Sequence, residues 1–211
     1  YEVWKGDKEM PTIGNLGGGS DHIGFYMHVG VPSLSGGTSG PTLYHTNYDS
    51  FEFYEKFVDP SFKMGPMVEQ LVGILTLRLA NAEIIPYDVK RYAIDLKQHF
   101  KKATADVKAF DKEFQSFGSV DSSLVQLQEV ASKFEDRLNT VLKNNSLTKN
   151  EIKSINSKML ALEKSFIDSK GMYYGAWYKS LYASTDPFSG YASWMLPGIE
   201  YEIALKSSDR L

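Results

Sequence analysis

SDHIGFYMHVGVPS at residues 20–33, a glycine-rich loop, then YHTNYDSFEFYEKFVDP at residues 44–60: this stretch decides how the chain reads. Ser20 and Asp21 are good N-cap residues for a helix running to about His28, because their side-chain oxygens accept from the free N–H groups of the first turn. Gly30 then supplies a left-handed stop. Val31-Pro32-Ser33-Leu34 reads as a short strand, and Ser35 to Gly40 as a flexible loop. His45 follows that loop, with Asp49 four residues on.

Working outward, the first sixty residues are rich in Gly and aromatics and are broken by Pro11, Pro32, Pro41 and Pro60, a pattern of short strands and loops around one short helix. From Ser61 the period becomes helical. Pro66 suits the first turn of a helix carrying Val68, Leu71, Val72, Leu75 and Leu79; Ile74 and Leu77 make it apolar on more than one side, as for a helix packed on a sheet. Beyond Pro86, Val89, Ala93, Leu96, Phe100, Ala103, Val107, Phe110 and Phe114 form one apolar stripe. Asp121 opens a second with Leu124, Leu127, Ala131, Phe134, Leu138 and Val141. The capping box Thr148-x-x-Glu151 opens a third with Ile152, Ile155, Met159, Leu162 and Phe166. Three stripes over 87–114, 121–142 and 148–166, joined by short polar turns, predict an antiparallel helical bundle. Residues 171–196 read as irregular and aromatic, with a last helix from near Gly198.

Composition bounds the chemistry. A net charge of −3 over 211 residues gives no basic footprint for nucleic acid. The absence of cysteine excludes disulfides, thiolate–zinc sites and thiol catalysis. The opening Tyr-Glu-Val-Trp-Lys lacks the pattern of a secretory leader, and the absence of an initiator Met fits a fragment or a processed chain. The most apolar region, Met67 to Pro86, contains Glu69, Arg78 and Glu83, which argues against a membrane span. Asn144-Asn145-Ser146 is one glycosylation acceptor sequence at Asn144.

A catalytic zinc needs about three protein ligands and an open position, and the chain holds four histidines with no HExxH. His99, among the lysines of Lys97 to Lys102, is expected on the surface. His28 sits near a helix end, where an imidazolium favours the dipole. His22 is open between cleft lining and packing. His45 alone combines a loop position with a carboxylate, Asp49, placed to orient it.

The order Ser-Asp-His, Gly-Val-Pro-Ser, Tyr-His-Thr resembles the end of the catalytic domain in the co-catalytic zinc aminopeptidase and carboxypeptidase superfamily. Asn81-Ala82-Glu83 before Ile84-Ile85-Pro86, Ala131-Ser132-Lys133-Phe134, the run Leu162 to Asp168 and Pro197-Gly198-Ile199 extend the likeness from Tyr1 to Leu211. They narrow it to the family of glutamate carboxypeptidase II and the transferrin receptors. That resemblance implies an α/β fragment, the end of a zinc-peptidase domain over residues 1–82, followed by an all-α helical bundle dimerisation domain over residues 83–211. It implies His45 as a ligand to one of two zinc ions, Asp49 as the carboxylate that orients that imidazole, and Gly19, Ser20, Tyr44 and Tyr191 as substrate contacts. The remaining ligands and the general base would precede this chain, so no catalytic residue is assigned here. The implied partners are a peptide substrate and a second copy joined through residues 83–211, with no nucleic acid. A membrane would be met only through an anchor ahead of Tyr1, on the lumenal or extracellular side of the secretory pathway.

Two features qualify that implication. Glutamate-preferring members hold substrate carboxylates with arginines before the Tyr-His and with a Lys-Tyr near the C-terminus. Here no Lys or Arg lies between Lys8 and Lys56, and Gly190 precedes Tyr191. A non-catalytic receptor or sorting protein is the alternative, although receptors have lost the metal ligands and Tyr44-His45 is retained.

Overall fold

The computed structural model describes residues 14–144 and 146–211; readings that fall on residues 1–13 and on Asn145 lie outside them. The chain is mostly helical. It forms two compact units, one joining residues up to Leu34 with Tyr87–Leu211, the other comprising Ser35–Pro86. Among the described residues no helix is long and apolar enough to cross a membrane.

In the first unit the two longest helices are α3 (Val89–Phe110) and α4 (Val120–Lys143). Asp88 caps α3 by accepting the Arg91 N–H at 3.1 Å. Lys90, in the first turn of α3, donates its backbone N–H to Glu135 in the second half of α4 at 3.0 Å, so the two helices run antiparallel. Their facing stripes bury Ala93, Leu96, Ala103 and Val107 on one side and Leu124 and Ala131 on the other. The small residues let the backbones approach while the leucines fill the layers between. Leu96 and Leu124 meet Leu196 in the core, ringed by Phe100, Val120, Leu127, Phe166, Tyr182 and Ile199.

Helix α5 (Lys149–Lys164) opens with the expected capping box, Glu151 N–H to Thr148 Oγ1 and Thr148 N–H to Glu151 Oε2. Its stripe Ile152, Ile155, Met159, Leu162 and Phe166 is half-buried or buried throughout, the face the spacing predicts. Helix α3 stops four residues short of the predicted Phe114. Asp111 turns extended and its carboxylate accepts the Glu113 N–H at 2.9 Å, an alternative to the helical ladder that Asp offers readily. Phe114 still packs inward through Phe117, whose ring lies 5.5 Å from Phe100.

The segment read as irregular contains the sheet. Strand β1 (Ala183–Thr185) pairs antiparallel with β2 (Ser193–Met195), Ala183 facing Met195 and Thr185 facing Ser193. The turn between them is organised by Asp186, buried, whose carboxylate accepts the N–H groups of Phe188 (2.9 Å), Ser189 (2.6 Å) and Ala192 (2.9 Å) and the Ser189 hydroxyl (2.6 Å). Helix α6 (Pro197–Leu205) follows at once, with Pro197 in its first turn. It ends over buried Glu202, which accepts from Tyr173 Oη and pairs with Arg210 at 2.7 Å.

By contrast, the strand expected at Val31–Leu34 is absent. The helical turn Gly24–Val29 ends at Gly30 in the left-handed region, and Val31 donates its N–H back to the Phe25 carbonyl at 2.9 Å, so it is spent on closing the helix.

In the second unit, α1 (Phe51–Phe53) runs into a wider π-helical turn Tyr54–Val58, and α2 spans Met64–Ala80. Asp59 joins them: its buried carboxylate accepts the Lys63, Met64 and Gly65 N–H groups at 2.8–3.2 Å and the Tyr54 hydroxyl at 3.2 Å. That satisfies the orphan donors at the start of α2. Among the described residues the unit holds no strand, and α2 buries none of its side chains: Leu71, Val72, Ile74, Leu77 and Leu79 are exposed. The sheet expected beneath this helix is not within residues 35–86.

Asp186 yields a test. Burial pushes its carboxyl up, but the Ser189 hydroxyl and N–H with the Ala192 and Phe188 N–H groups outweigh this and hold it at about 2, against an ordinary 3.8. A depressed carboxyl contributes stability that is present above its unfolded value and lost as pH falls through its folded one. Replacing Asp186 by Asn puts an NH₂ among donors. We expect a loss of roughly 1.5–3 kcal/mol at neutral pH, with a flatter acid limb between pH 4 and 2, both read by urea denaturation across pH.

Candidate functional site

In the first unit the predicted cleft residues Gly19 and Tyr191 come together. Gly17, Gly18 and Gly19 lie against the β1–β2 hairpin so closely that a Cβ on Gly17 would sit 2.2 Å from Ser193 Cβ, and one on Gly18 2.6 Å from Thr185 Cβ. Gly19 adopts φ +82° and its Cα side faces the Tyr191 ring, where a Cβ would lie 3.2 Å from Cδ1. Only glycine fits a backbone that approaches so near. Ser20 follows and its carbonyl accepts the Ile23 N–H at 3.2 Å, opening the helical turn. The Tyr191 ring is exposed.

Two histidines hold this arrangement. His22 Nε2–H donates to the Gly17 carbonyl at 2.7 Å, a packing contact within the loop. A carbonyl only accepts, so Nε2 carries the proton. His28 Nδ1–H donates to the Trp177 carbonyl at 2.8 Å with its ring 5.5 Å from the indole. His99 corrects the sequence reading. It is not a solvated residue: its Nε2 is buried without a hydrogen-bond partner, its ring meets Tyr182 edge-on, and burial pulls its pKa below the ordinary value. The Lys97–Lys102 charges concealed that the imidazole itself points toward Tyr182.

In the second unit Tyr44 and His45 sit in a chain of tight turns. Thr46 organises them: its hydroxyl donates to the Leu43 carbonyl at 2.7 Å and accepts the Tyr48 N–H at 3.2 Å, while its backbone carbonyl takes the Asp49 N–H at 3.2 Å. Sequence reasoning passed over Thr46, although a Thr within a loop signals such hydroxyl-closed turns. His45 is held at φ +64°, uncommon for a residue with a side chain, and its ring stacks on Tyr44 at 3.8 Å. Backbone held off the common regions concentrates at functional positions. Both rings are exposed, and among the described residues neither nitrogen of the His45 imidazole makes a hydrogen bond. Asp49 makes no hydrogen bond to His45 in this structure.

Among the described residues no group of three or more His, Asp or Glu side chains could hold a metal. The His45 imidazole is open, and an imidazole is a donor of the type that fills a single metal-ligand position. Asn144 stands exposed as the C-cap of α4, its side chain clear of the core.

Residues 95–210, from the first third of α3 to beyond α6, match the family model of the transferrin receptor-like dimerisation domain. The chain belongs to that family. Over 95% of its length it is 34% identical to a probable glutamate carboxypeptidase of Arabidopsis thaliana, covering 28% of that protein. It is 28% identical over 87% of its length to an aminopeptidase of Mus musculus, covering 27% of it. It is 25% identical over 97% to vacuolar protein sorting-associated protein 70 of Saccharomyces cerevisiae, covering 28%. The chain therefore spans little more than a quarter of the curated relatives it matches. It is a member of the transferrin receptor-like and glutamate carboxypeptidase family, and residues 95–210 are the part that matches the dimerisation-domain model.

The glycine run supplies a second test. Gly17→Ala and Gly18→Ala force the hairpin away and should cost roughly 1–3 kcal/mol. Gly36→Ala and Gly37→Ala, where a Cβ meets open space, should stay within about 0.5 kcal/mol. Thermal melts of the four variants side by side check the contrast.

Proposed function

We propose that this chain is the C-terminal part of a dizinc exopeptidase, and that it contributes one metal ligand, substrate contacts and the surface of a homodimer. The observation that carries the reading is the likeness along 95% of the chain to a probable glutamate carboxypeptidase. His45 is the ligand. Its imidazole is exposed and uncommitted, and Tyr44 stacks on it and limits its rotation. Asp49 is its orienting carboxylate once the metal is bound. Tyr44, Gly19, Ser20 and Tyr191 make the substrate contacts. Zinc, when bound, polarises a peptide carbonyl and lowers the pKa of a water. The other ligands and the general base lie outside these 211 residues, so the chain alone binds zinc weakly and hydrolyses nothing.

In the intact protein His45→Ala should abolish tight zinc occupancy and peptide hydrolysis and leave helical content unchanged. Metal analysis with circular dichroism reads both, and full zinc content in the variant would sink the assignment.

Selectivity for a C-terminal glutamate is not expected. No Lys or Arg lies between Lys8 and Lys56, and Gly190 stands at φ +77°, where a lysine would be strained. Each charge-assisted pair missing from a carboxylate clamp is worth roughly 1.5–3 kcal/mol. The kcat/KM values of the intact protein for acidic and neutral peptides should therefore differ little. The dimer is read by sedimentation of the intact protein at micromolar concentration, where a strict monomer would remove it.

The likeness to vacuolar protein sorting-associated protein 70 favours a second reading, a non-catalytic binding or sorting protein. Absence of both zinc and hydrolysis in the intact wild-type protein would select it.

A further inference from the structure

The turn between α4 and α5 carries a motif that the proposed activity leaves unused. Asn144-Asn145-Ser146 is the sole Asn-x-Ser/Thr triplet in the chain. An acceptor of this kind needs a reachable side-chain amide two positions ahead of a hydroxyl, on a surface with room for a bulky, solubilising sugar.

The corner meets both needs. Asn144 is the C-cap of α4 at φ −84°, and its backbone N–H closes the helix on the Thr140 carbonyl at 3.2 Å. Its side chain is exposed, and among the described residues its amide makes no hydrogen bond. Ser146 donates both its N–H and its hydroxyl to the Val141 carbonyl, at 3.1 and 3.2 Å. The last turn of α4 is thus satisfied by backbone and by Ser146, and the Asn144 amide is left over for other chemistry. Lys143, Thr148, Lys149 and Asn150 around it are exposed as well.

Two features of the packing bear on what a sugar would do here. Beside the corner, α4 and α5 leave an open crevice of about 280 Å³ walled by Phe134, Leu138, Val141, Leu147 and Ile155. Val141 is the residue that holds Ser146, so a group on Asn144 stands next to that apolar opening. The corner is also remote from the candidate substrate contacts. Leu124 packs on Leu196 beside the hairpin, and Asn144 lies 20 positions further along α4, about 30 Å at the helical rise.

We propose that Asn144 is an N-glycosylation site, and that the α4–α5 corner is a solvent-facing end of the helical region, closed to a second copy of the chain. The sugar donor is a lipid-linked diphospho-oligosaccharide. The bond from its anomeric carbon to the diphosphate oxygen breaks while Asn144 Nδ2 bonds to that carbon. Nδ2 gives up one proton, and the lipid diphosphate leaves. Occupancy of the site needs neither zinc nor hydrolysis, so it stands apart from the peptidase reading; the statement about the second copy rests on the homodimer proposed above.

The test uses intact protein purified from a eukaryotic host after passage through the secretory route. The tryptic peptide over residues 144–149 is followed by mass spectrometry before and after an amidase releases N-linked sugar in heavy-oxygen water. Release converts a glycosylated Asn to a labelled Asp. The wild-type peptide should appear mainly after release, labelled at position 144. Asn144→Gln and Ser146→Ala should abolish the label, and Asn145→Gln should keep it, because the middle position accepts any residue but proline. A wild-type 144–149 peptide found unmodified overturns the site. If Asn144→Gln or Ser146→Ala is not produced, the wild-type and Asn145→Gln maps decide occupancy alone.

Sedimentation of wild type and Asn144→Gln at the same micromolar concentration tests the second half. The same number of subunits is expected in both, and a larger assembly in Asn144→Gln would return the corner to the interface. Monomers in both would remove the proposed homodimer and the statement about the second copy, and leave the occupancy result untouched.

Discussion

The meeting of Leu96, Leu124 and Leu196 is the contact on which the first unit depends. Each leucine comes from a different piece of chain: α3, α4, and the junction between β2 and α6. Two helices can align their stripes in several registers that bury similar area. A third element inserted between them removes that freedom, because a core at crystal-like density accepts one arrangement of side chains. Leu196 is held at φ +58°, ψ +61°, an unusual backbone for a branched residue. The hairpin hydrogen bonds before it and Pro197 after it confine it there, and the local strain is offset by the burial it makes possible.

From that junction the cleft side of the unit follows. The β1–β2 hairpin is three residues long on each side and would not survive alone in water. It persists because its β2 end runs into the Leu196 core and its connecting turn closes on Asp186. The Gly17–Gly19 run then docks on a hairpin that is already rigid, and this is what sets Gly19 against Tyr191. Position at the candidate site is thus inherited from the helical core and not produced by the loop itself.

What was legible in the sequence was what periodicity and capping record. The three stripes, the Thr148–Glu151 box and the Gly30 stop depend on residues within a few positions of each other, so local pattern specified them. The hairpin did not show because Ala183-Ser184-Thr185 and Ser193-Trp194-Met195 are too short to alternate, and their register is set by Asp186 and by Met27, 158 residues from its Thr185 contact. His99 was misplaced for a related reason: its charged neighbours describe the helix face, whereas Tyr182, which receives the ring, is 83 positions away. Tyr44, His45 and Tyr191 were singled out through their order within a familiar pattern. Composition alone would have passed over each of them, as it did Thr46.

Helix α2 has a consequence of a different kind. Its capping by Asp59 is complete, so the helix is well begun, yet the rod it starts carries Met67, Leu71, Val72, Ile74, Leu77 and Leu79 uncovered. A surface of that size and greasiness adheres to whatever apolar material it meets. Handled by themselves, these 211 residues would behave in solution as a sticky particle, drawn to detergent, to chaperones and to one another. Clumping of such a preparation would report on α2 and would reveal nothing of the dimerisation for which the family of the helical domain is named.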